Sequence, residues 1–168
     1  PITIAPGATL TQTSGDICYN AAVSGAINAT GGTIYLGKLS ASGWTFSSPA
    51  SMVRIRENGD YDGVNINCLN LGVADLANTA VTTTFRNSTL DIYNFYLGWG
   101  NAFVKGGNVS IGSGTTLTAF KIAIGDSGTN VYDNVKSVLS VDGGTVCLTG
   151  TTFYVSYASP RAEFVLND

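Results

Sequence analysis

Charged chemistry is concentrated in one stretch of this 168-residue chain, Arg54-Ile55-Arg56-Glu57-Asn58-Gly59-Asp60-Tyr61-Asp62-Gly63. Asn58, Asp60 and Asp62 alternate ahead of Gly63, as in the first half of a calcium loop. There every second side chain offers oxygen to one ion, and the glycine permits the turn. The acid expected at the twelfth loop position is replaced by Leu69. The stretch therefore predicts a polar turn whose acids pair with Arg54 and Arg56, with a lone calcium site of another geometry as the alternative. Glycosidase chemistry would need two carboxyl groups facing a cleft, one held protonated. Glu57 and Glu163 are far apart, and the Asp residues fall mostly in turns such as Asp126-Ser127-Gly128 and Asp142-Gly143. Lyase chemistry would need a basic residue beside calcium-binding acids, and 54–62 is the only local candidate. With His absent, imidazole triads, imidazole metal sites and imidazole pH switches are excluded. No catalytic residue and no cofactor is expected.

Aromatic side chains are the better binding candidates. If Phe95 and Leu97 face inward, Tyr96 faces out, and Tyr154 lies likewise opposite Phe153 and Val155. The two tyrosines would then share one exterior column with Ala123 between them, a strip able to stack on a sugar or a neighbouring protein. Trp44 and Trp99 are expected to pack under loops. Cys18, Cys68 and Cys147 allow at most one internal bridge, and their spacing fits no zinc or redox motif, so free thiols are expected. Asn28, Asn87 and Asn108 head glycosylation-type triplets, although turn roles are expected for them.

Stepping outward, 11% charged residues, 21 Gly and a net charge of -3 describe a weakly charged, turn-rich chain. No basic stripe is present for nucleic acid, and no apolar run is long enough for a membrane-spanning helix. The chain opens on Pro1-Ile2-Thr3-Ile4 without a cationic leader, as a mature product or an excised fragment would.

The elements positioning these residues are short strands. Apolar residues recur with period two (Ile34/Leu36, Val53/Ile55, Leu90/Ile92, Val109/Ile111, Val146/Leu148), bounded by Gly, Asn, Asp or Ser. The best helical candidate, 17–27, is short and contains Gly25. A box also recurs: Gly31-Gly32-Thr33-Ile34-Tyr35-Leu36, Gly106-Gly107-Asn108-Val109-Ser110-Ile111, Gly143-Gly144-Thr145-Val146-Cys147-Leu148, and the degenerate Asn87-Ser88-Thr89-Leu90-Asp91-Ile92. A second strand follows as Phe95-Tyr96-Leu97-Gly98, Ile122-Ala123-Ile124-Gly125 and Phe153-Tyr154-Val155-Ser156. The segment 163–168 reads as another copy, ending where a Gly pair would come. Such repetition predicts a parallel β-solenoid, since one repeat cannot bury its apolar face alone. About 24 residues per coil would give six or seven coils, with inward residues of the boxes lining a common wall and ~4.8 Å between rungs. An antiparallel β-sandwich is the structural alternative.

The form apolar-x-Gly-Gly-x-apolar-x-apolar, then an aromatic-led strand, is carried by Val141 to Leu148 with Phe153 to Ser156, and by Val104 to Ile111 with Ile122 to Gly125. It resembles the β-strand repeats of autotransporter-type passenger domains and related bacterial surface proteins. The resemblance covers 85–168, and more loosely the chain from 27. It implies a right-handed parallel β-helix on an extracellular adhesin or scaffold.

The expectation is thus a single solenoid domain over 1–168, with 1–26 as a cap or donor strand and 27–168 as repeats, whole or part of a longer chain. Its expected role is non-catalytic, as a structural or adhesive module at the cell surface. Self-association through the terminal strands, or a surface glycan or protein, would supply its partners. A carbohydrate-binding or polysaccharide-cleaving β-helix is the alternative.

Overall fold

Alternation of apolar and polar residues produces strands throughout, and the computed structural model is all-β. It describes residues 52–55, 58–74, 80–98, 106–125, 136–155 and 161–167 with their side chains. Between 3 and 51 it describes only the backbone of the strands. Gly31, Gly32, Trp44, Arg56, Glu57, Trp99 and Val104 lie outside the described residues, as do the side chains of Cys18, Asn28, Ile34 and Leu36.

The larger sheet runs in order through β2 (Thr9–Gln12), β5 (Ala26–Ala29), β8 (Thr45–Ile55), β10 (Asn65–Val73), β12 (Thr89–Leu97), β14 (Thr116–Ile124) and β16 (Thr145–Val155). β3 (Asp16–Cys18) and β6 (Thr33–Leu36) extend it beside β8. The second sheet stacks β7 (Ser40–Ser42), β9 (Gly59–Asp62), β11 (Val81–Arg86), β13 (Gly107–Gly112), β15 (Ser137–Asp142) and β17 (Ala162–Asn167). β1 (Thr3–Ile4) pairs with β4 (Ala22–Val23). Within 17–27, the expected helix is replaced at the described positions 17–18, 22–23 and 26–27 by strand.

The described strand pairs are parallel, and the antiparallel contact among described residues is the isolated bridge Gly112↔Gly143. The chain is a parallel β-solenoid, and the sandwich alternative is excluded. Coils lengthen along the axis: the registers Thr45↔Asn65, Asn65↔Thr89, Thr89↔Thr116 and Thr116↔Thr145 give 20, 24, 27 and 29 residues, by difference of the paired numbers.

Three walls enclose the core. The second sheet is the first wall. The long strands of the larger sheet supply the other two, because the chain turns a corner within each: at a single residue in β10, β12 and β14 (Leu69, Tyr93 or Phe120), and over three residues in β8 and β16. Ile66 and Cys68 point inward before that corner, and Leu71 and Val73 after it. Columns run along the axis on every wall. Ile66, Leu90, Leu117 and Val146 stand in register on the second wall. Val53, Leu71, Phe95, Ile122 and Phe153 do so on the third, and Tyr61, Phe85, Ile111 and Val141 on the first. Tyr61 and Phe85 stack with ring centroids 5.0 Å apart.

The boxes correct one expectation. Leu90 and Val146 share a column, with Ile92 and Leu148 in the next one. Gly106 and Gly107 instead lead Val109 and Ile111 into the first wall, and the backbone of Ile34 and Leu36 is in register with Val53 and Ile55 on the third. All three walls border one interior, but the boxes are not one recurring position. A glycine pair serves any corner. The true equivalents of the 87–92 and 143–148 boxes are Gly63-Val64-Asn65-Ile66-Asn67-Cys68 and Gly114-Thr115-Thr116-Leu117-Thr118-Ala119.

Their shared corner explains the spacing. Gly63, Asn87, Gly114 and Gly143 each stand two residues before the second wall with positive φ of 67, 49, 71 and 77°. Glycine meets this requirement without Cβ strain, and Asn tolerates it. Beside this turn, buried hydroxyls hold the backbone of the preceding coil: the Val64 N–H donates to Ser88 Oγ at 3.1 Å and the Ser88 N–H to Thr115 Oγ1 at 3.3 Å. Buried donors so satisfied avoid the desolvation penalty of an unmade bond.

Candidate functional site

The acidic stretch is divided among neighbours. Asn58 Oδ1 accepts from the Thr82 N–H at 2.8 Å, Asp60 pairs with Arg86 at 2.8 Å, and Asp62 accepts from Asn87 Nδ2 at 2.8 Å. Each side chain reaches a different partner on the next coil instead of a shared ion. The arginine that meets Asp60 is Arg86, in place of the expected Arg54, which lies on the third wall with its Nε 3.2 Å from Met52 Sδ. Among the described residues no three His, Cys, Asp or Glu side chains gather as a metal site.

The same pattern holds for every described carboxylate. Asp91 accepts from Asn67 Nδ2 at 3.2 Å, and Glu163 pairs with Lys136. Asp142 accepts from Ser110, from Asn167, and from Ser140 at 2.9 Å. These bonds, that from Ser110 foremost, hold the Asp142 carboxyl below its ordinary range.

Tyr96 and Tyr154 do share one exterior column on the third wall, with Ala123 between them. The slot they make is filled: Lys121 Nζ lies 5.0 Å from the centroid of Tyr96 and 5.8 Å from that of Tyr154. Ala123 points outward yet has no exposed surface. A cation held between two ring faces stabilises the wall and occupies the faces on which a ligand would stack.

The more open feature is the corner between the second and third walls, which sequence reading missed. Tyr93 and Phe120, 50% and 39% exposed, stack with centroids 4.6 Å apart and planes 4° from parallel. The far face of Phe120 is closed by Gly150, where an added Cβ would come within 2.8 Å of the ring. Beside these rings runs a groove of about 260 Å³ lined by Leu69, Tyr93 and Phe120 at the corner, by Asn67 and Asp91 on the second wall, and by Thr149. Cys68 and Ile92 form its floor with side chains turned inward. Burial pushes the Cys68 thiol up to about 12. Cys147, by contrast, is exposed on the outer second wall, in register with Thr118. A signal for this corner was present: an apolar residue directly follows each inward pair, as in Leu90-Asp91-Ile92-Tyr93, interrupting the period of two.

Comparison with protein-family models, curated proteins and solved structures returns no match. Of what the repeats lead us to expect, the structure shows the parallel β-solenoid fold.

Proposed function

We propose that the chain is a non-catalytic, extracellular β-solenoid module, structural or adhesive, of a bacterial surface protein or appendage. The observation that carries this reading is the placement of the acids: all five described carboxylates bond to a residue one coil away. Carboxyls engaged in this way tie the stack together, whereas glycoside cleavage would need a pair left to face the sugar, one of them held protonated. Outer walls of Thr, Ser and Asn with few charges fit a surface exposed to bulk solvent outside the cell. The test is incubation with neutral and acidic polysaccharides, with calcium or with chelator. No new reducing ends and no unsaturated products are expected, and turnover of any substrate would overturn the reading.

End-to-end association is a second reading, favoured by the coil that β16 and β17 form. Leu148, Phe153, Val155 and Leu166 point toward the interior yet are 38%, 37%, 40% and 73% exposed, while Ala119, Ile122 and Ile124 one coil earlier are buried. A parallel strand from a second copy would cover them and pair the open edge, a heterologous contact that repeats without closing. Light scattering across a concentration series, with negative-stain imaging, tests this. Monodisperse monomer at every concentration would refute it.

A further inference from the structure

We propose that the groove beside Tyr93 and Phe120 binds a neutral polysaccharide strand lying along the solenoid axis. This deepens the adhesive side of the reading above and rests on it. Three features select the ligand. The groove sets apolar Leu69, Tyr93 and Phe120 beside hydrogen-bonding Asn67, Asp91 and Thr149, a mixture that suits a pyranose, apolar on its C–H surface and polar around its rim. Its one ionised lining group is Asp91, an acceptor for hydroxyl donors that repels a polyanion; no lining cation would offset a uronate or sulfate. The groove also lies across interior strands: β10, β12, β14 and β16 are paired in sequence on both sides of the corner, with Leu69, Tyr93 and Phe120 between the paired segments. An extended peptide, which binds by adding main-chain bonds to a sheet edge, has no such edge to use. A linear glycan needs none.

Equivalent positions recur at ~4.8 Å along the axis, so a chain running this way meets Asn67, Asp91 and their neighbours at regular intervals. The ring faces of Tyr93 and Phe120 are turned to each other, which leaves their edges and the Leu69 side chain as the apolar contact. Binding is accordingly shallow, and affinity accumulates over several sugar residues.

The experiment titrates the chain with neutral hexaoses (gluco-, xylo- and manno-configured) and with the matching oligouronides, followed by calorimetry and by amide shifts in NMR. A neutral hexaose is expected to bind and to shift the amides of Asp91, Tyr93 and Phe120. Tyr93→Ala and Phe120→Ala should each weaken it about tenfold with unchanged circular dichroism. Asp91→Asn keeps the rung contact with Asn67, leaves the fold intact, and should narrow the preference for neutral over uronate chains. Failure of every neutral hexaose to bind overturns the proposal, as does tighter binding of an oligouronide by the wild type. Binding that survives Tyr93→Ala and Phe120→Ala but is lost on Tyr96→Ala overturns the groove while leaving the adhesive reading standing.

Discussion

Replacing one leucine at two depths of the stack tests the solenoid directly. Leu117 is fully buried in the second wall, with Leu90 and Val146 in register on either side. Truncation to Ala leaves a cavity closed from both directions, and such losses in well-packed cores run to about 2–5 kcal/mol. Leu148 lies one coil further on and is 38% exposed, with no coil beyond it among the described residues. The same truncation there removes part of a transfer term and opens no enclosed void, about 1 kcal/mol. Urea unfolding followed by circular dichroism at low micromolar protein reads both. With a slope of about 2 kcal/mol/M, Leu117→Ala should lower the midpoint by about 1–2.5 M and Leu148→Ala by about 0.5 M. Equal shifts, or a larger one for Leu148→Ala under dilute conditions, would refute the stacked interior. If copies do associate end to end, raising the concentration should bring the Leu148 effect toward that of Leu117.

Ser88→Ala leaves the buried Val64 N–H without its acceptor; a loss of about 1–3 kcal/mol is expected in the same assay, with the Val64 amide exchanging faster. Of Cys68 and Cys147, only Cys147 should react with a thiol reagent at pH 8, because Cys68 is raised to about 12 by burial. The sign follows for stability: folding favours the neutral Cys68 thiol, so its contribution is complete below the unfolded value near 9 and declines as pH rises toward 12. For Asp142 the direction is opposite, since its folded carboxyl is lowered. Its contribution is present above the ordinary value of 3.8 and is lost on acidification below it. Ser110→Ala should move its NMR titration back toward that value.

The parallel solenoid was legible because period-two strands and recurrent turns leave few other ways to bury an apolar face. The strand led by Phe95, Ile122 and Phe153 was also aligned correctly, since its three copies occupy one register. The segment 163–167 does continue the repeat, as β17 pairs with β15 through Asn167 opposite Asp142. The boxes misled where glycine pairs were treated as the repeat itself. Gly106-Gly107 and Gly143-Gly144 serve different corners, while the less conspicuous Gly114-Thr115 is the true counterpart of the latter. A turn residue reports that the chain bends, and only the register of the following strand says which wall it enters. The groove went unseen for a related reason: Tyr93 and Phe120 break the alternation at a bend, and a bend is a property of the coil's cross-section.

Most of the unevenness in coil length has one origin. From Asn65 onward the first wall takes six residues in each coil, and its corner with the second wall two or three. Growth falls between the third wall and the first, at 74–80, 98–106 and 125–136. An insertion within a wall would reverse the inward and outward sets of every residue after it. One beside Ser88 or Thr115 would separate a buried hydroxyl from the N–H it satisfies. The ends of the corner between third and first walls are also fixed, by positive φ at Ala74, Gly98, Gly106 and Gly125 and by N–H bonds from Ala74, Gly98 and Gly125 to the preceding coil, but loop length between fixed ends adds closure entropy only slowly. The solenoid thus separates two kinds of surface. The corner at Leu69, Tyr93 and Phe120 keeps one residue per coil through three coils and presents a groove along the axis, while β8 and β16 widen it by two residues, and the corner between third and first walls takes up most of the change in coil length.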